Sequence, residues 1–253
     1  MILKTKAFWL PLLLCHLFTL RPRAQSADSL VAQTTQTTQT AYDSALSQYH
    51  AYMIPETHLF RGPEYVAYVQ VLKEGYPYFG ENSRRKGSVT YDGIFYKDVY
   101  LYYDLVTGEV VMNDLYNVFK IALISNLVES FSIENHFFIN LKDSLNHTAP
   151  RNGFYEVLYK GHLELLKKEK KTIEEDLYSS DHVLKFIHGA DSSYYLKTGD
   201  VYHPVNNNKS LLGVLKDRKK DVKKFIRTQQ LSMRKDRENT LIKVIAWYDT
   251  LPH

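Results

Sequence analysis

Four residues of one short run could bind a ligand together. In Ile94–Asp104 (IFYKDVYLYYD), Tyr96, Asp98, Tyr100 and Tyr102 recur at every second position, with Asp104 next in step. On an extended strand that spacing places them on one face. Tyrosine rings stack on sugars and peptide groups, while hydroxyls and carboxylates supply hydrogen bonds. The run therefore predicts a ligand-binding face of Tyr96, Asp98, Tyr100 and Tyr102. Phe95, Val99, Leu101 and Tyr103 make the opposite face, and Lys97 is the one misfit on it. The plainer reading is a half-exposed strand face that covers the sheet. Twelve of the 20 tyrosines fall between Tyr42 and Tyr103, so the aromatic content is concentrated here.

A second chemistry uses Asp98, Asp104 and His136 as carboxylates and a base of a hydrolase. It requires a pocket in which at least two of them converge. A third uses a hollow barrel lined by Val99, Leu101 and Tyr103 to carry an apolar ligand. Other chemistries lack their motifs: the chain has no GxxxxGK[ST] loop, GxGxxG, HExxH or GxSxG. Ser83-Arg84-Arg85-Lys86 matches SxxK by letter only, because no apolar helix surrounds its lysine. The histidines sit on different expected elements, so no metal site and no cofactor are predicted.

The elements that must position these residues follow from pattern. The first 24 residues read as a secretory signal peptide: Lys4 and Lys6, then the apolar stretch Ala7 to Leu20, then Ala24 before Gln25. This almost unbroken stretch of 14 residues is short for a bilayer, which takes about 20. Cys15 lies inside that stretch, so the mature chain would have no cysteine, no disulfide and no transmembrane helix. The segment also carries four of the 32 basic residues and none of the 28 acidic ones, so the remainder is neutral. Acids exceed bases in residues 25–159, and bases exceed acids in 160–253. Export argues against a nucleic-acid partner, despite the basic run Lys216–Lys224.

Residues 25–60 form a Thr/Gln-rich leader with a short helix expected over Ala41–Met53. Residues 61–205 read as antiparallel β. Asp92-Gly93 and Thr107-Gly108 mark tight turns, with further strands expected at Val118–Ile124, Phe131–Ile133, His136–Leu141, Phe154–Tyr159, His162–Lys171, Tyr194–Leu196 and Val201–Val205. Residues 206–253 change period. Leu211, Leu212, Leu215, Val222, Phe225 and Ile226 predict one amphipathic helix capped by Asn208 or Ser210. Leu241, Val244, Ile245, Tyr248 and Leu251 predict a second, capped by Asp236. The expected fold is α+β: a mainly antiparallel β meander, open or barrel-like, followed by two C-terminal amphipathic helices packed on it.

The segments HLFRGPEYVAY, GSVTYDGIFYKDVYLYYDL and GFYEVLYKG, with the helical ending, resemble an uncharacterised exported protein family of the Bacteroidetes type. The resemblance implies a periplasmic or cell-envelope location and carries no activity and no site residue. The expectation is an exported, non-enzymatic binding or structural module, whose partner is another envelope protein or a small ligand.

Overall fold

The computed structural model describes residues 58–66, 72–142, 150, 152–176 and 183–252, with helical positions at 41, 42, 44, 45 and 48. The expected signal peptide, the Thr/Gln-rich tract and most of the expected helix over Ala41–Met53 lie outside the described residues. The chain divides into two compact units, Met1–Ala51 and Tyr52–His253, and the second holds the whole sheet.

Eleven strands form that sheet: β1 (Leu72–Glu74), β2 (Arg85–Tyr91), β3 (Ile94–Asp104), β4 (Glu109–Asn113), β5 (Lys120–Ala122), β6 (Val128–Ile133), β7 (His136–Leu141), β8 (Gly153–Lys160), β9 (Glu164–Asp176), β10 (Val183–Thr198) and β11 (Val201–Pro204). The spatial order is β1-β10-β9-β8-β7-β6-β2-β3-β4-β5, with β11 also on β10. Every pairing is antiparallel except β1 with β10. The ladder ends at β5 on one side and at β1 and β11 on the other, so the sheet is open. It also curls. The Lys171 N–H on β9 donates to the Leu105 carbonyl just past β3 at 3.0 Å, although four strands separate β9 and β3 in the order. The fold is α+β and mostly β.

Local chemistry explains the turns. Asp92 and Gly93 both take the left-handed conformation, φ 51° and 75°, which a two-residue hairpin between paired Tyr91 and Ile94 requires. Gly87 is needed for another reason: a Cβ there would lie 1.9 Å from the Ser132 carbonyl oxygen of the neighbouring strand. β10 is much longer than the expected Tyr194–Leu196. It begins at Val183 and continues through Asp191, Ser192 and Ser193, pairing with β9 along most of its length.

Among the described residues two large apolar cores pack on the sheet, with a smaller one around Tyr65, Tyr78, Val111 and Ala122. The first stacks Phe131 on Phe138 at 4.6 Å, with Tyr103, Phe154 and Phe79 packed edge-on around them. The second packs Leu165 and Leu196 of the sheet against the C-terminal helices. There are three of these rather than two: α1 (Asn208–Val214), α2 (Lys219–Thr228) and α3 (Arg237–Tyr248). The single helix expected through Leu211 and Ile226 is broken at Leu215, which caps α1 by donating its N–H to the Leu211 carbonyl. The break keeps Leu211, Leu215 and Val222 all in the core. Asn207, not Asn208 or Ser210, caps α1: its side chain accepts from the Ser210 N–H at 2.9 Å, and Ser210 Oγ accepts the Asn207 N–H in return. Asp236 caps α3 as the pattern predicts. Among the described residues no helix is long and apolar enough to cross a membrane.

Candidate functional site

The expected face of Tyr96, Asp98, Tyr100 and Tyr102 is split by the structure. Asp98 has φ 60° and sits where the β2–β3 register shifts, so it is the extra residue of a β-bulge. A bulge inverts the alternation beyond it. Tyr96 therefore points inward with Leu101 and Tyr103 and is 5% exposed, while Tyr100 is 51% exposed on the outer side. Tyr102 packs against Tyr78, ring centroids 4.7 Å apart, on that outer side. Asp98 pairs with Lys86 at 2.8 Å, and this partner holds its carboxyl below the usual carboxylate range.

Asp98, Asp104 and His136 are not brought together either. Asp104 is buried, accepting from the Tyr65 hydroxyl at 2.6 Å and from the Val106 and Thr107 N–H groups. His136 Nδ1 meets Glu156 Oε1 at 2.5 Å on another strand pair. Of the barrel-lining set, Leu101 and Tyr103 belong to the filled aromatic core and Val99 packs at its margin.

The structure instead opens a cleft of about 1360 Å³. One wall is the β3–β4 turn, Leu105 to Gly108; the floor carries Tyr103, Phe154 and Tyr155; the far wall is β9 and β10, with Lys168, Glu169, Asp191, Ser193 and Tyr195. The ends of β5–β6 and β7 add Ser125, Asn126, Asn140 and Lys142. The curl that joins Lys171 to Leu105 is what brings β3 and β9 to the same cavity.

Its side chains are held in place. Tyr195 meets Tyr155 edge-on at 5.8 Å, and Lys168 Nζ lies 4.8 Å from the Tyr155 ring centre while donating to the Asn152 carbonyl at 3.0 Å. Asn140 donates to the Ser125 and Val128 carbonyls, both at 2.8 Å, which fixes its amide and leaves the carbonyl oxygen oriented. Lys142 donates to the Asn126 carbonyl at 2.7 Å. Burial raises the Tyr103 hydroxyl above the ordinary tyrosine range, with Tyr155 and Glu169 adding to it, so it stays protonated and can donate.

Behind the cleft, Lys167 ties the strands to the helices. It contacts Glu169 and Glu238 at 2.9 Å each and Glu156 at 3.8 Å. Burial works against its charge, but the bonds to Glu169 and Glu238 outweigh burial and raise its pKa. Lys171 differs: burial lowers its pKa, and its ammonium donates to the Tyr76 and Tyr78 carbonyls at 3.0 and 2.7 Å.

Chemically, the cleft offers one part-exposed tyrosine over a buried aromatic floor, an oriented amide, hydroxyls, two carboxylates and three ammonium groups. Its described lining contains no histidine or cysteine. Among the described residues no cluster of three or more His, Cys, Asp or Glu could hold a metal. Comparison with known proteins returned no match to a family model, a curated protein or a solved structure.

Proposed function

We propose that this chain is an exported, non-enzymatic binding module of the cell envelope, and that its cleft takes a small polar ligand such as a saccharide or a short peptide. The observation that carries the reading is the meeting of the part-exposed Tyr195 with Lys168, Asn140, Asp191 and Ser193 around one cavity, closed beneath by the buried Tyr103 and Tyr155. Rings beside fixed amide and charged groups suit a ligand that has both an apolar face and a polar edge. The separate engagements of Asp98 with Lys86, Asp104 with Tyr65 and His136 with Glu156 weigh against the hydrolase built on those residues. The signal peptide expected over the first 24 residues and the resemblance to an exported Bacteroidetes-type family support the envelope location.

Native mass spectrometry of the protein with mono- and disaccharides and dipeptides tests this. At least one class is expected to be retained, and Tyr195→Ala is expected to weaken it roughly tenfold, the scale of an aromatic contact. Retention unchanged in both Tyr195→Ala and Lys168→Ala, with circular dichroism unaltered, would remove the cleft as the binding site. Turnover of the retained compound would replace the binding module with an enzyme.

A further inference from the structure

The connection between β4 and β5 reverses the usual distribution of polarity in a turn. Leu115, Tyr116, Val118 and Phe119 all expose their side chains, Tyr116 by 81% and Val118 by 78%. The polar groups point the other way. Asp114 Oδ1 accepts the Val118 and Phe119 N–H groups at 2.6 and 2.9 Å, and Oδ2 accepts the Tyr116 N–H at 3.0 Å. The Asp114 N–H donates to the Phe119 carbonyl at 2.9 Å, and the Asn117 N–H donates to the Asp114 carbonyl at 3.1 Å. Five backbone N–H groups between 114 and 119 are thus satisfied inside the loop.

Asx-type bonding of this kind is common in turns that stay in water. It also meets the requirement of a turn that leaves water, where an unpaired N–H is costly. The loop is also braced. Asn117, at φ 57°, accepts at Oδ1 from Arg84 Nη1 at 2.8 Å and from Asn113 Nδ2 at 3.1 Å. Arg84 in turn lies over the exposed Tyr100 ring, 5.4 Å from its centre. Lys120 follows the loop directly; its part-buried ammonium donates to the Tyr78 hydroxyl at 2.9 Å and lies 4.1 Å from the Tyr102 ring.

We propose that the loop Asp114–Phe119 is a membrane-docking finger, which inserts Leu115, Tyr116, Val118 and Phe119 into the outer layer of a bilayer while Arg84 and Lys120 meet lipid phosphates. The apolar side chains project from a tight turn, and a fluid bilayer needs no matching groove to accept them. The cations stand at the base of the finger, where phosphates would lie once the tip has entered the acyl boundary. Tyr100, beneath Arg84, completes the aromatic surface at that level.

A probe on the loop itself separates this docking from any attachment by another segment. In the full chain, Cys15→Ser with Val118→Cys allows an environment-sensitive fluorophore at position 118. With vesicles of phosphatidylcholine containing a quarter phosphatidylglycerol, its emission is expected to shift to the blue and to be quenched by spin-labelled lipid. Tyr116→Ser is expected to lower the vesicle affinity about tenfold. Arg84→Gln is expected to lower it about fivefold on these vesicles and little on pure phosphatidylcholine. Both side chains are exposed, so unchanged circular dichroism is expected. The proposal is overturned if the protein sediments with vesicles while the label at 118 stays unaltered. It is equally overturned if the shift appears with rising protein concentration in the absence of lipid, which would make the loop a contact between copies of the chain.

Discussion

β8 and β9 present different surfaces at their two ends. Where β8 finishes and β9 begins, Leu158, Leu163 and Leu165 lie under α1–α3 with Leu196 of β10. Where β8 begins and β9 continues, Phe154, Tyr155, Lys168 and Glu169 line the cleft. One hairpin is thus capped at one end and open at the other. The capped end is aliphatic and buries its side chains against helices. The open end is aromatic and charged, and its polar groups are fixed by short bonds such as Lys168 to Asn152. The first end supplies stability, and the second is where the proposed ligand would sit.

Removing core volume at the capped end should show the largest effect. Leu241 of α3 is fully buried, and Leu241→Ala should lose about 2–5 kcal/mol of unfolding free energy in urea titration. Tyr195→Ala at the open end should lose far less stability while changing ligand retention. If the two losses were equal, the division between the ends would fail.

Lys167 sits on the boundary, and it sharpens the comparison. Its bonds to Glu169 of β9 and Glu238 of α3 couple the cleft strand to the helical cap. Lys167→Ala should cost about 1–3 kcal/mol, mostly through loss of its 2.9 Å contacts with Glu169 and Glu238. A double-mutant cycle with Glu238→Gln should give a coupling of about 0.5–1.5 kcal/mol. Additivity of the two substitutions would mean that the cap and the cleft are energetically independent.

The capped end was the more legible from sequence, because helical stripes and capping residues are local signals. Asp236 and Leu241 through Tyr248 form the helix their spacing predicts. The Asp92-Gly93 hairpin and β7 over His136–Leu141 also follow local pattern. The open end was hidden for a physical reason: its walls come from strands far apart in the chain, and the curl that joins them rests on a hydrogen bond from Lys171 to Leu105. Polar Asp191, Ser192 and Ser193 masked the long β10, because a strand facing a cleft need not alternate with apolar residues. In β3 a signal was present. Lys97 broke the assumed alternation, and a bulge at Asp98 is what places Lys97 outside and Tyr96 inside. The helix break at Leu215 carried no such mark, since the apolar stripe continues across it.

That break leads to the smallest effect. Asp217, in the link between α1 and α2, accepts from the Tyr248 hydroxyl at 2.8 and 3.0 Å. Burial acts against the Asp217 charge, but the Tyr248 bond and nearby backbone N–H groups leave its pKa lowered from 3.8. Burial, then the bond to Asp217, pushes Tyr248 from 10.0 up to about 12. The two signs differ in their pH windows. A depressed carboxyl contributes stability above its unfolded value and loses it as pH falls through the folded one. A raised tyrosine contributes below 10.0 and loses its share as pH rises towards about 12. Asp217→Asn should therefore cost about 0.5–1 kcal/mol, modest because the carboxylate is exposed and screened. The gap from wild type should be flat between about pH 5 and pH 9 and narrow on either side. Unfolding free energies across pH for wild type, Asp217→Asn and Tyr248→Phe provide the measurement. A gap that widened in acid would mean that folding raises the Asp217 pKa instead of lowering it, and that the Tyr248 hydroxyl does not hold the carboxylate.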